Sequence, residues 1–180
     1  NPKSIFLAGP NLIVCSNEND ILIQGSVTFS PAAFVWSGGT FDDNTLEQPH
    51  YILSAADKAI VIPTTRVLTI NIPASGVCAA ESQSMNLTIY PLPNANFLGI
   101  PGSGQHPENG PILELNAFQS GGLFTILPGS GLSGTSINPS TNFDFSNLAP
   151  NLATIYDGTP ASINKITYSF TDANGCTNSN

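Results

Sequence analysis

The tripeptide Ser-Gly-Gly, running out into a phenylalanine within two residues, occurs twice, as Ser37-Gly38-Gly39-Thr40-Phe41 and as Ser120-Gly121-Gly122-Leu123-Phe124. Strand-like alternation through Phe34 and Trp36 enters the first copy, so the turn and the aromatic after it read as two strands meeting at a tight corner. Trp36 is the only tryptophan, and its alternation suits it to plug the middle of a sandwich core. The recurrence makes the 180 residues count in two, each half near the roughly 100-residue size of an immunoglobulin-like unit. The expected fold is therefore all-β, with two tandem β-sandwich modules over residues 1–92 and 93–180.

Composition narrows the setting. Charged residues make up 9% of the chain, against about 25% in an average soluble domain, so the surface must be built from Ser, Thr, Asn, Gln and Gly, as suits a secreted protein. Twelve acidic residues stand against Lys3, Lys58, Lys165 and Arg66, giving a formal charge of −8 with no basic cluster, which argues against nucleic acid as a partner. Apolar runs such as Ala59-Ile60-Val61-Ile62 fall far short of the ~20 residues a transmembrane helix needs. Asn1-Pro2-Lys3 opens directly into strand-like sequence with no signal peptide, and reads as the start of a mature or excised segment of something longer.

Of the three cysteines, Cys15 and Cys78 fall in the first module and Cys176 near the end of the second. A Cys15–Cys78 bridge would close a loop of roughly 60 residues, worth about 4 kcal/mol on the chain-entropy model. The alternative is two buried free thiols, and metal binding by such widely spaced cysteines ranks below both.

Along the chain, Lys3 to Ala8 and Asn11 to Cys15 read as one edge strand broken at Gly9-Pro10. Strands follow at Ile21–Phe29, Ala33–Trp36 and Tyr51–Leu53. Ser54-Ala55-Ala56-Asp57-Lys58-Ala59 is the one helical piece, with Ser54 and Asp57 spaced as a capping box. Ile60–Ile62 and Arg66–Ile72 read as strands interrupted by Pro63, and Ser84–Tyr90 closes the module. Pro91-Leu92-Pro93-Asn94 forms a short, stiff joint. In the second module Glu108-Asn109 before Ile112-Leu113 echoes Glu18-Asn19 before Leu22-Ile23, and on that offset Cys15 maps to Gln105. Cys176 then lacks an intramodule partner and is expected as an unpaired thiol. Too few residues follow it for a full closing strand, so the second sandwich is expected to lack its last strand, supplied either by a continuing polypeptide or by a neighbouring chain.

Two runs carry a family resemblance. Ala8-Gly9-Pro10-Asn11-Leu12-Ile13-Val14-Cys15-Ser16-Asn17-Glu18, Val35-Trp36-Ser37-Gly38-Gly39-Thr40-Phe41 and Ser54-Ala55-Ala56-Asp57 resemble the PKD-like repeat of large secreted Bacteroidota surface proteins, the gliding-motility adhesins among them. Ser120 to Phe124, Gly131-Leu132-Ser133-Gly134 and Ile166 to Cys176 are similar to the Ig-like modules that accompany it. The resemblance implies export by the type 9 system and a place as beads in giant cell-surface adhesins, or as spacers in secreted hydrolases. The second module departs from the pattern in lacking the first cysteine.

Few residues suggest chemistry. Gly129-Ser130-Gly131-Leu132-Ser133-Gly134 fits a dinucleotide-binding glycine pattern, but Thr135 to Pro139 cannot open the helix that pattern requires, so it reads as a hairpin loop. Asp42 and Asp43 are weak calcium candidates, and Asp172-Ala173-Asn174-Gly175 begins like an oxygen-ligand loop; neither has six to eight oxygens at local spacing. The alternatives are a solvated loop and a hairpin tipped by Asn174-Gly175. His50 and His106 lack a partner at zinc-helix spacing. The Asn86-Leu87-Thr88 sequon lies within a strand. No cofactor is expected, and the leading expectation is a non-enzymatic segment of a secreted adhesin or filament. Its partners would be neighbouring modules, and surface glycans or other adhesin chains. Cys15, Cys78, Trp36, Pro91 and Pro93 are its structural residues. The competing expectation is an accessory carbohydrate-binding or spacer module of a secreted polysaccharide-degrading enzyme, which needs exposed aromatics that Tyr51, Tyr90, Tyr156 and Tyr168 do not obviously supply.

Overall fold

The computed structural model describes residues 5–28, 33–74, 79–99, 113–128, 136–137, 142–143 and 164–180, and the chain divides into two compact units, Asn1–Leu92 and Pro93–Asn180. In the first unit the elements are β1 (Ile5–Leu7), β2 (Leu12–Cys15), β3 (Ile21–Leu22), β4 (Ser26–Thr28), β5 (Val35–Ser37), β6 (Thr40–Phe41), β7 (His50–Ile52), the helical turn α1 (Ala55–Lys58), β8 (Thr64–Ile72) and β9 (Glu81–Tyr90). One layer is the four-stranded sheet β2-β9-β8-β5; the other is made by β3-β7-β6 with the pair β1-β4. Inward positions alternate along the strands: Leu68 and Ile70 on β8, Met85, Leu87 and Ile89 on β9, Trp36 on β5. These meet Phe6, Ile21, Ile23, Tyr51 and Leu53 of the other layer in one buried cluster. Each such side chain taken out of water contributes about 1.5–3 kcal/mol.

The opening strand is broken where the sequence places Gly9-Pro10. Before the break β1 runs antiparallel to β4, and after it β2 runs parallel to β9, so the chain changes layers there. The Asn11 side chain accepts a hydrogen bond from the Asn86 amide at 2.8 Å and pins the start of β2 to its new sheet. The single strand expected from Ile21 is two, β3 and β4. Between them Gly25 lies so close to the indole that a Cβ would stand 2.6 Å from Trp36 Cζ2. Ile60–Ile62, expected as a strand, is a surface loop instead, with Val61 86% exposed. Pro63 has no amide to give to a ladder, and β8 starts just after it.

In the second unit the described elements are β10 (Phe97–Leu98), β11 (Leu113–Glu114), β12 (Asn116–Ala117), β13 (Leu123–Pro128), β14 (Ser136–Ile137), β15 (Asn142–Phe143), β16 (Asn164–Thr171) and β17 (Thr177–Ser179). The pairs β10-β12 and β11-β15 oppose the four-stranded sheet β14-β13-β16-β17. Phe97 of the first group meets Phe124 of the second edge-to-face at 5.1 Å. Both units are thus β-sandwiches, as the alternation of the sequence implies. The closing strand of the second, β17, has three residues, paired with Ser169–Thr171; its counterpart β9 has ten.

The strand order overturns one part of the internal alignment. In the first unit Ser37-Gly38-Gly39 leads out of β5, the strand beside β8. In the second, Ser120-Gly121-Gly122 leads into β13, the strand beside β16. The runs β5-β8-β9 and β13-β16-β17 correspond, so the place of Trp36 is taken by Phe124 and not by the residue one before the second Ser-Gly-Gly. Both rings are core plugs, Trp36 at 1% and Phe124 at 0% exposure.

Candidate functional site

The polar residues of greatest interest gather where the first Ser-Gly-Gly corner meets α1. Gly38 has φ +99°, and a Cβ there would fall 2.1 Å from the Val67 carbonyl oxygen. Gly39 lies against Tyr51, with a Cβ position 2.2 Å from ring atom Cε2. Two glycines are needed because the chain must both reverse and let an aromatic ring touch its backbone. The ring of Tyr51 also meets Phe41 edge-to-face at 5.6 Å, and Phe41 lies 6.2 Å from Trp36. The indole N–H donates to the Leu46 carbonyl at 3.1 Å, so the plug brings its own polar group to a partner.

Beyond Tyr51 lies Asp57, whose side chain is 3% exposed. The capping box read from the sequence forms: Asp57 N–H donates to Ser54 Oγ at 3.1 Å, and Asp57 Oδ2 accepts from Ser54 N–H at 3.1 Å and from Ser54 Oγ–H at 2.7 Å. The other oxygen, Oδ1, accepts from Arg66 Nε at 3.0 Å and Nη2 at 2.6 Å. Burial alone would raise the pKa of this carboxyl, but the Ser54 hydroxyl and then the Arg66 guanidinium outweigh it and hold the group below the ordinary carboxylate range. Burial, followed by the charge of Asp57, pushes the Tyr51 phenol upward. Sequence reasoning finds Ser54 and Asp57 but misses Arg66. The available signal is that the chain's only arginine falls on an inward-facing parity of β8, where a cation needs a carboxylate.

Asp42 and Asp43 stand in the loop after β6 and serve the backbone. Asp42 Oδ1 accepts from the amides of Asp43 at 2.7 Å and His50 at 2.8 Å, while Asp43 Oδ1 accepts from Thr45 N–H at 2.9 Å and its hydroxyl at 2.6 Å. The Asp43 and His50 amides lower the Asp42 pKa, and the Thr45 hydroxyl and amide lower that of Asp43. Among the described residues no three His, Cys, Asp or Glu side chains converge. His50 instead pairs through Nδ1 with Asp20 Oδ1. In the second unit Asp172 likewise organises a hairpin, accepting from the amides of Asn174 and Cys176, each at 2.9 Å, with Gly175 at φ +85°.

The cysteines depart from expectation. Cys176 is wholly buried and disulfide-bonded, not an unpaired thiol, and Cys15 is disulfide-bonded too. Cys78 lies outside the described residues. A sulfur takes one disulfide partner, so the expected Cys15–Cys78 bridge and a bonded Cys176 do not fit together in a chain of three cysteines. Cys15 is in register with Tyr90, at the end from which the first unit's chain departs. The β17 strand beside Cys176 is tied to the entry of the second unit, where Asn178 Nδ2 donates to the Pro93 carbonyl at 2.8 Å. Pro93 is thereby held within the second unit and is buried, while Pro91 is half-buried.

The second Ser-Gly-Gly corner is built on a different tyrosine. Gly121 has φ +98°, and Tyr168 of β16, wholly buried, accepts from Gly122 N–H at 2.9 Å and donates its hydroxyl to the Gln119 carbonyl.

No family model and no curated protein matches the chain significantly. Among solved structures, the PKD domain of human KIAA0319 aligns with 18% identity and a TM-score of 0.35, over 49% of this chain and 81% of that one. The periplasmic chaperone SfaE aligns with 15% identity and a TM-score of 0.30, over 98% and 96%. At such scores the fold rests on the strand order described above.

Proposed function

We propose that this chain is a non-catalytic pair of Ig-like modules from a secreted cell-surface adhesin or filament, of the gliding-motility type its sequence resembles, serving reach and display. The observation that supports this most directly is the use made of its carboxylates. Among the described residues, Asp42, Asp43, Asp57 and Asp172 each accept hydrogen bonds from their own loops, which makes them turn-holding groups. The disulfide-bonded cysteines suit an oxidising compartment, and no helix of the described residues is long and apolar enough to cross a membrane. The sugar-binding alternative has less support, because Tyr51 and Tyr168 are buried and serve the two glycine corners.

The test uses antibody raised against the chain on intact cells that express the parent polypeptide. Labelling of unpermeabilised cells, with attachment to a surface reduced by monovalent Fab fragments, is the expected result. Unlabelled cells, or attachment indifferent to the Fab, would sink the reading.

A further inference from the structure

The outer face of the four-stranded sheet of the first unit has an unusual composition for a chain with a formal charge of −8. Leu68, Ile70, Met85, Leu87 and Ile89 point into the core, so the alternate positions of β8 and β9 point out, and with them those of β2 and β5. No Asp, Glu, Lys or Arg occupies any outward position on these four strands. Three aliphatic side chains stand open to water there, Ile13 at 66%, Val67 at 55% and Val35 at 38%.

The polar groups between them are already engaged with one another. Thr69 Oγ1 and Ser84 Oγ share a hydrogen bond at 2.8 Å, Thr65 and Thr88 share one at 3.3 Å, and Asn71 Nδ2 donates to Ser37 Oγ at 2.9 Å. Covering such a face strips water from groups that keep partners, so the desolvation cost is small. The same internal pairing leaves few free donors for a sugar.

From these observations we infer that this face is a self-association surface, occupied by the same face of a second copy of the chain. Charge selects the occupant. Two copies at −8 repel one another, and a face whose outward positions carry no charge is where they approach without opposing carboxylates. A face-to-face pair of sheets is also self-complementary about a two-fold axis. The four strands, of 4, 10, 9 and 3 residues, at a rise of ~3.3 Å per residue and a spacing of ~4.8 Å bury roughly 800 Å² over both partners, below the size of a standard specific interface. The association is accordingly weak per module and gains strength where many modules are strung together. The inference needs nothing of the adhesive reading and survives its failure.

Sedimentation velocity on the full chain, from micromolar to millimolar concentration, tests it. The weight-average sedimentation coefficient is expected to rise with concentration, and to rise more steeply as NaCl goes from about 20 mM to about 0.3 M, because salt screens the repulsion without touching the uncharged contact. Val67→Glu and, independently, Ser84→Lys weaken association at least tenfold. Ile5→Glu adds a like charge outside the face, where Ile5 is 58% exposed, and leaves association largely intact. Circular dichroism melts confirm that each variant folds, and one folded face variant suffices. A chain monomeric throughout the range, association that salt weakens, or equal loss with Ile5→Glu overturns the proposal. So does a monomer whose Thr65, Val67 and Asn86 amide resonances shift on adding cellohexaose, an outcome that would assign the face to neutral glycans.

Discussion

The two Ser-Gly-Gly corners share a tripeptide and a backbone conformation, with φ near +99° at Gly38 and +98° at Gly121, yet they lie at different points of the same sandwich plan. The first leaves the strand that carries the core plug, and the second enters it. The first is backed by a tyrosine tied to an ion pair, Tyr51 with Asp57 and Arg66, and the second by one neutral hydroxyl, that of Tyr168. A local motif therefore reports a local need, for reversal and for close approach of a ring, and not a position in a topology.

Substituting the two plugs gives the largest expected effect and tests the correspondence itself. Trp36→Ala and Phe124→Ala should each cost about 3–5 kcal/mol in denaturant unfolding, whereas Gln119→Ala should cost far less. A neutral Phe124→Ala would restore the direct alignment of the two tripeptides.

Next comes the contrast between an ionic and a neutral anchor. Asp57→Asn should cost about 1–3 kcal/mol, at the lower end because the Arg66 left behind is partly exposed and can turn to water. Its pH signature carries a definite sign. The folded-state pKa of Asp57 is depressed, so its stabilisation is complete above the ordinary carboxylate value and is lost as pH falls through the lower folded value. Urea melts from pH 6 down to about pH 2 should show a shallower acid limb for Asp57→Asn than for the native chain. Tyr168→Phe, by contrast, should cost about 1–3 kcal/mol by stranding the Gly122 amide and the Gln119 carbonyl, with no change in the acid limb. If both variants alter the pH profile alike, the two anchors are not of different kinds.

A smaller effect separates the glycines themselves. Gly121→Ala meets nothing nearer than 3.8 Å and should cost only the left-handed backbone strain of about 1–2 kcal/mol. Gly38→Ala, aimed at the Val67 carbonyl, should cost clearly more. Equal thermal shifts would show that backbone strain alone governs both corners. The cysteine finding is checked without any variant. Peptide mapping without reduction should place Cys176 in a disulfide-linked peptide and name the partner of Cys15, and a freely alkylated Cys176 would reinstate the sequence-based expectation.

Much of this protein was legible in the sequence because it depends on neighbours along the chain. Alternation through Phe34 and Trp36 marks the core plug of the first module, Gly9-Pro10 marks the strand break, and the spacing of Ser54 and Asp57 marks a capped turn. Each of these is settled within a few residues by backbone geometry and the exclusion of apolar groups from water. Ile60–Ile62 is a loop and not a strand, because a short apolar run says nothing of whether a partner strand lies alongside. The pairing of Arg66 with Asp57, the choice of Tyr51 and Tyr168 to back the glycines, the place of Phe124 and the bonded state of Cys176 belong to the tertiary structure alone. They join residues from separate strands and loops, and which of these meet is decided by strand order and register, which no local pattern encodes.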